Sequence, residues 1–111
     1  RSGYLERQLF DVIAESYVNK GDVVHFADAL SPVAVRELAE KIACSCGGTA
    51  AVFSETGDGH CAGCLVCKNG SVAELGKRLC DSLGGKGGGK PGFFQGSISA
   101  DKEQILRFFA D

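Results

Sequence analysis

The sequence lacks a long apolar run, a secretory signal and an excess of basic residues, and each absence excludes a class of protein. No apolar run approaches the ~18 residues needed to span a bilayer. No basic segment followed by an apolar one opens the chain. The net charge of -2 and the pI near 5.7 exclude a nucleic-acid binder held by bulk positive charge. We therefore expect a cytoplasmic protein without membrane contact, in which any phosphate contact is local.

Catalytic motifs are also missing. The chain has no Gly-x-Ser-x-Gly, no pair of His residues four apart and no paired carboxylates on one helix face. His25 lies in an apolar segment and His60 precedes another, and neither has a Ser or Asp neighbour at the spacing of a nucleophilic site, so both are interpreted as structural. The sequence therefore predicts no catalytic residue in this chain.

The 111 residues fit one domain, and 44% hydrophobic with 23% charged residues is typical of a globular chain. Because Arg1 already lies in an apparent helix, we expect a fragment of a longer protein. In this interpretation residues 1–19 are the end of a linker helix and residues 22–109 are the globular core.

Periodicity predicts the order α-β-α-β-β-α-loop-β-α. The predicted segments are helix 2–19, strand 23–27, a helix from Ser31 to about Ala43, strands 49–55 and 60–68, helix 71–83, loop 84–92, edge strand 93–98 and a helix from Asp101. Strands that alternate with helices around one hairpin indicate an α/β (α+β-like) fold. The expected fold is a mixed sheet with a central hairpin and helices packed on it, in two or three layers.

Three helix starts carry capping signals. Ser31 precedes a proline, which suits the first helical position. Ser71 with Glu74, and Asp101 with Gln104, have the spacing of a capping box, in which two side chains satisfy two orphan amides.

The six cysteines are Cys44, Cys46, Cys61, Cys64, Cys67 and Cys80. Without a secretory signal they are expected to be reduced thiols. If residues 60–68 form a strand, Cys61 and Cys67 face one side and Cys64 the other, so the three cannot converge on one ion. We interpret these thiols as core residues and predict neither a metal nor another cofactor in this chain.

Glycine is the strongest compositional outlier, with 16 of 111 residues against the usual ~7%. Six of the nine residues from Gly84 to Gly92 are glycine, and residues 84–100 carry Lys86 and Lys90 but no acid. Backbone amides freed from side chains are predicted to form an anion-binding nest. The alternative is a connector whose glycines let the chain pass close to a neighbouring element. Phe93 and Phe94 are candidates for stacking on a base, and at least one of them is expected in the core.

Two nucleotide-binding motifs match this segment in part. Gly84-x4-Gly89-Lys90 has the spacing of a Walker A loop, but Pro91 stands where Ser or Thr should hold magnesium. The segment also follows a helix instead of joining a strand to one, which excludes the ATPase and dinucleotide-binding interpretations.

The segment Leu83–Pro91, followed by Gln95-Gly96, resembles the C-terminal domain of alanyl-tRNA synthetases. The same module ends the long form of AlaX, the free-standing alanyl-tRNA editing proteins, and is the DHH-associated domain of a phosphoesterase superfamily. The resemblance covers residues from about 20 to 109.

The resemblance implies a C-terminal DHH-associated accessory domain that contacts alanine tRNA and forms a homodimer in some settings. The residues implied in nucleic-acid binding are Gly85, Lys86, Gly87, Gly88, Gly89, Lys90 and Gln95. The parent protein would be an aminoacyl-tRNA deacylase of the long AlaX type, favoured by Leu30-Ser31-Pro32 and the short hairpin, or an alanine–tRNA ligase. Zinc, and ATP in a synthetase, would belong to upstream domains.

Besides a zinc-binding domain, for which the six cysteines with His60 would supply enough ligands, two alternatives stay open. One is a structural module for self-association, suggested by Phe108 and Phe109 near the end of the chain. The other is the substrate-binding domain of a DHH phosphoesterase, although Lys90 stands where those relatives carry a histidine in the glycine segment.

Overall fold

Residues 10–28, 31–55, 59–68, 70–90 and 92–110 are described by a computed structural model of the chain. The elements in chain order are α1 (described over residues 10–16), β1 (Gly21–Asp28), α2 (Pro32–Cys46), β2 (Gly47–Glu55), β3 (Cys61–Cys67), α3 (Ala73–Leu83), β4 (Lys86–Lys90), β5 (Phe93–Ile98) and α4 (Lys102–Ala110). The predicted α/β fold and the order of its predicted helices and strands are confirmed. No described helix has the length and apolarity that crossing a membrane requires.

The five strands form one mixed sheet in the order β1-β2-β3-β5-β4. β1 runs parallel to β2, which requires the crossover through α2. β2 and β3 form the predicted central hairpin, and β5 and β4 continue the sheet in antiparallel fashion. The two edges of the sheet are therefore β1 and β4.

Helices cover both faces of the sheet, so the fold has three layers. Ala50 and Val52 of β2 pack among the buried residues of α1 and α2, on what we call the α2 face. Ala51 and Phe53, the alternate residues of the same strand, pack among those of α3 and α4, on the α3 face. Two clusters, one on each face, make up the core.

Two of the predicted helix caps are confirmed. The Ser31 hydroxyl accepts the Ala34 N–H at 3.2 Å and caps α2. At α4 the Asp101 carboxylate accepts the Gln104 N–H at 2.9 Å, while the Gln104 side chain accepts the Asp101 N–H at 3.1 Å. This reciprocal pair is the predicted capping box.

The capping box predicted at Ser71 and Glu74 is wrong. α3 begins at Ala73 with Val72 as its N-cap, and no side chain caps it. The Ser71 hydroxyl accepts the Ala73 N–H at 3.3 Å instead. The buried Val72 side chain, at 0% exposure, fixes where the helix enters the core. Packing has overridden the local hydrogen-bonding signal here.

The segment predicted as a glycine-rich loop contains a strand. Residues 86–90 form β4, which pairs along its whole length with β5. As a consequence β5, predicted to lie at the edge, is an interior strand between β3 and β4. Glycine disfavours strands intrinsically, so the pairing with β5 and the cover of α3 must stabilise this one.

Candidate nucleic-acid interface

The glycines of β4 bring it unusually close to β5. A Cβ on Gly87 would lie 2.7 Å from the Cα of Gly96, its partner in the pairing, and 2.8 Å from Cζ of Phe94. A Cβ on Gly96 would collide in turn with the Lys86 carbonyl, and one on Gly89 with the Phe93 carbonyl. Side chains at these positions would force the strands apart, which matches the expectation of a close approach to a neighbouring element.

The predicted anion-binding nest does not form at residues 85–89. A nest needs successive amides on one side of the chain, with alternate residues in the left-handed region. In β4 the amides alternate between the two sides of the strand, and none of these glycines has a positive φ. Half of the backbone groups of β4 are used by β5, and the outward half form the free edge of the sheet.

An open groove nevertheless lies beside this edge. It has a volume of about 490 Å³ between α3 and β4. Its lining residues are Ala73, Lys77, Cys80, Asp81, Gly85, Lys86, Gly87, Gly88, Gly89, Phe93 and Phe94. Lys77 and Lys86 add positive charge to a surface that is mostly glycine and aromatic. Asp81 is the acidic residue among those that line the groove.

A second exposed surface lies on the other side of the same strands. We call it the open strip. It is made of Lys86, Gly88, Phe93, Gln95 and Ser97 on the α2 face, where Lys86 pairs with Ser97 and Gly88 with Gln95. α2 packs mainly over β1, β2 and β3. Arg36 of α2 borders the strip, with its guanidinium carbon 4.5 Å from the centre of the Phe93 ring.

The structure separates the predicted site residues into two groups. Lys86, Gly88 and Gln95 lie on the open strip, whereas Gly87 and Gly89 point to the α3 face. Gly85 lies just before β4 and contacts β5, since a Cβ there would be 2.9 Å from the Ser97 carbonyl. The register places position 90 opposite Phe93, and the Lys90 side chain lies outside the described residues.

The two neighbouring phenylalanines have different roles. Phe94 is a core residue, 7% exposed, whose ring is wedged between Gly87 and Gly76 of α3. Phe93 is half-buried on the opposite face beneath Arg36. Sequence reasoning missed Arg36, because nothing in the sequence around it signals that it will meet Phe93.

The cysteines lie on the faces that strand alternation predicts. Cys61 and Cys67 belong to the α3 face and Cys64 to the α2 face. The Cys61 thiol donates to the Ala100 carbonyl at 3.3 Å, and burial raises the pKa of Cys64 to about 12. Among the described residues, no three His, Cys, Asp or Glu side chains come together in a group that could hold a metal ion.

His25 is held by the N-terminal segment. Its Nδ1 and the Tyr17 hydroxyl form a hydrogen bond of 2.9 Å, and the two rings meet edge to face. Burial lowers the pKa of His25 and favours the neutral imidazole. These contacts explain the residue as a link between the end of α1 and β1.

The fold and the site define a three-layer α/β domain whose mixed sheet ends in a glycine-built edge strand. Residues 16–111 match the sequence profile of the DHHA1 domain, and the chain belongs to this family. The prediction of a DHH-associated, C-Ala-type domain is confirmed.

A solved structure shares the fold. The C-Ala domain from Aquifex aeolicus alanyl-tRNA synthetase superposes with a TM-score of 0.63 at 19% sequence identity, covering 77% of this chain and 86% of that one. At this level of sequence identity, the match establishes that the two domains share a fold. The search of curated proteins found no match.

Proposed function

We propose that this chain is the C-terminal accessory domain of an alanyl-tRNA editing protein or an alanyl-tRNA synthetase, and that it contacts alanine tRNA through β4. Membership of the DHHA1 family and the likeness to the C-Ala domain of a synthetase support the accessory role. The observation that carries the proposal is an exposed edge strand built mainly of glycine, flanked by Lys86 and Lys90 and bordered by an open groove.

The chemistry of this strand suits a phosphate backbone. Glycine leaves the backbone of β4 accessible, and the outward amides of an edge strand are unpaired donors. Backbone amides and lysine ammonium groups are common donors to phosphate in nucleic-acid complexes. Two lysines within a stretch without acids provide local positive charge in a chain of net charge -2.

The accessory role leaves the chemistry to other parts of the parent protein. In our proposal the parent acts in the cytoplasm as an aminoacyl-tRNA deacylase or an alanine–tRNA ligase. Zinc, and ATP in a ligase, would be bound upstream of this domain. The domain itself would increase the affinity for tRNA.

The test is a titration of tRNA with the chain and with the double variant Lys86→Glu/Lys90→Glu. We expect affinity to fall about tenfold or more, and the slope of log affinity against log salt to fall by about 2, since each phosphate contact contributes about 1. The control, Lys20→Glu/Lys102→Glu, makes the same change of net charge near β1, the opposite edge of the sheet. Equal affinity of the β4 variant and the control would contradict the proposal.

The structure gives no specific support to self-association as a second function. Phe108 and Phe109, which suggested it, are half-buried against the core of the α3 face: Phe109 lies 5.9 Å from Phe53, and Arg78 lies over Phe108. A homodimer stays a prediction that sedimentation at high concentration would check. The phosphoesterase alternative likewise stays a prediction.

A further inference from the structure

Gly88 is the one glycine of β4 and β5 that the fold itself does not require. A Cβ at Gly87, Gly89 or Gly96 would collide with the backbone of the paired strand. A Cβ at Gly88 would meet nothing within 4 Å, and its φ lies outside the left-handed region. Glycine in a strand interior weakens the strand, and often marks a place where a ligand or another backbone approaches closely.

The missing side chain of Gly88 would point to the α2 face. Gly88 pairs with Gln95, whereas its neighbours Gly87 and Gly89 face Phe94 and α3. The space that Gly88 keeps clear is therefore above the open strip. The groove, which α3 borders, opens toward the opposite face, although Lys86, Gly88 and Phe93 of the strip also contribute to its lining.

This geometry distinguishes between possible occupants. An added peptide strand would lie beside β4 in the plane of the sheet, and its presence would not require position 88 to be bare. A ligand in the groove would meet the backbone of Gly88 together with Gly87 and Gly89, but it would not need the space that a Cβ on Gly88 would occupy on the α2 face. Only a ligand that lies across the strip needs the backbone at Gly88 to be uncovered.

The side chains around Gly88 suit an anionic ligand. Lys86 and Ser97 are exposed on one side of it, and Arg36 stands over Phe93 on the other. The strip contains no acidic residue. Glu40 lies one turn beyond Arg36 in α2, and the charges of both residues affect the pKa of Cys64.

We propose that the open strip is the surface on which the RNA backbone lies, with a phosphate group against the bare backbone of Gly88 between Lys86 and Arg36. This inference rests on the proposed function and adds to it the face that is used and one further residue, Arg36. The groove under α3 is then a neighbouring feature and not the contact surface.

The test compares bulk added on the two sides of β4. Gly88→Ala and Gly88→Val fill the space above the strip, and Ala73→Leu, at an exposed position of α3, fills the groove without a change of charge. We expect Gly88→Val to weaken tRNA binding by the chain about tenfold, which corresponds to about 1.4 kcal/mol, with Gly88→Ala between it and the unaltered chain. Ala73→Leu should weaken binding less than Gly88→Val. Thermal unfolding of each variant confirms that the fold is retained, and Gly88→Ala, the smallest addition, remains informative if Gly88→Val unfolds.

The outcomes separate this inference from the proposed function. If Lys86→Glu/Lys90→Glu weakens binding but neither Gly88 variant does, tRNA contact stands and the open strip is overturned as its surface. If Ala73→Leu weakens binding more than Gly88→Val, the groove is the contact surface and the inference is again wrong. If neither the charge reversal nor the Gly88 variants change the affinity, both proposals fail.

Discussion

At the scale of single residues, two adjacent glycines should respond in opposite ways to the same substitution. Gly87→Ala places a methyl group 2.5 Å from the Gln95 carbonyl oxygen and should destabilise the fold by about 1–3 kcal/mol, as overpacking does. Gly88→Ala meets open space and should be neutral or stabilising by up to about 1 kcal/mol, since it removes the entropy cost of a strand glycine. Denaturant unfolding of both variants measures the difference. Similar losses of stability for the two would show that β4 does not approach β5 as described.

The sequence supports only part of this distinction. Six glycines in nine positions favour an anion-binding nest, with a close approach to a neighbouring element as the alternative, and the structure shows the close approach. However, Gly87 and Gly88 are the same residue in the same segment, and only the register against Phe94 and Gln95 shows which one the fold needs. For the same reason the sequence predicted a set of seven binding residues and could not divide it between two faces.

At the scale of the elements, the cap of α4 should contribute measurably to stability. Asp101→Ala removes the acceptor of the Gln104 N–H and leaves one side of a reciprocal pair, so we expect a loss of about 1 kcal/mol in the free energy of unfolding. Ser71→Ala is the matched control, because Ser71 precedes α3 without serving as its N-cap. If Ser71→Ala lowers the free energy of unfolding as much as Asp101→Ala does, the assignment of a capping box to α4 and not to α3 is wrong.

Elements with local signals could be predicted, whereas β4, which depends on its pairing alone, could not. Ser31, Asp101 and Gln104 act within one turn of their helices, so their spacing was sufficient. β4 has no β-branched residue and no alternation of polarity, and it exists because β5 and α3 hold it. The predicted cap at Ser71 failed for a related reason, since the burial of Val72 determines where α3 begins.

At the scale of the whole molecule, the helices cover the sheet differently near β1 and near β4. Near β1, β2 and β3 both faces are covered by helices, and the core lies there. At β4 and β5 α3 covers one face except at the groove, while on the other face α2 reaches Phe93 through Arg36 and leaves Lys86, Gly88 and Ser97 exposed. The domain thus combines a sandwiched core with a strip of sheet that the helices leave largely open, and the strip lies within residues 84–100, which contain no acid.

The buried thiols make the stability of the whole molecule depend on alkaline pH. Burial raises the pKa of Cys64 to about 12, and it also raises the pKa values of Cys61 and Cys80. Above about pH 9 the thiols of the unfolded chain lose their protons while that of Cys64 keeps its own in the folded state. The unfolded state then binds fewer protons than the folded state, so the free energy of unfolding must fall as pH rises between about 9 and about 12.

Cys64→Ala isolates the contribution of this thiol. The variant should be less stable at neutral pH, because it leaves a small cavity, but its stability should fall less steeply above pH 9 than that of the unaltered chain. Cys44→Ala, at an exposed position of α2, is the control and should leave the slope unchanged. Denaturant unfolding under reducing conditions at a series of pH values gives both slopes. If the free energy of unfolding falls with pH equally steeply for the Cys64 variant and the unaltered chain, Cys64 ionises alike in the folded and unfolded states. The position of Cys64 in the core, near Arg36 and Glu40, would then be wrong.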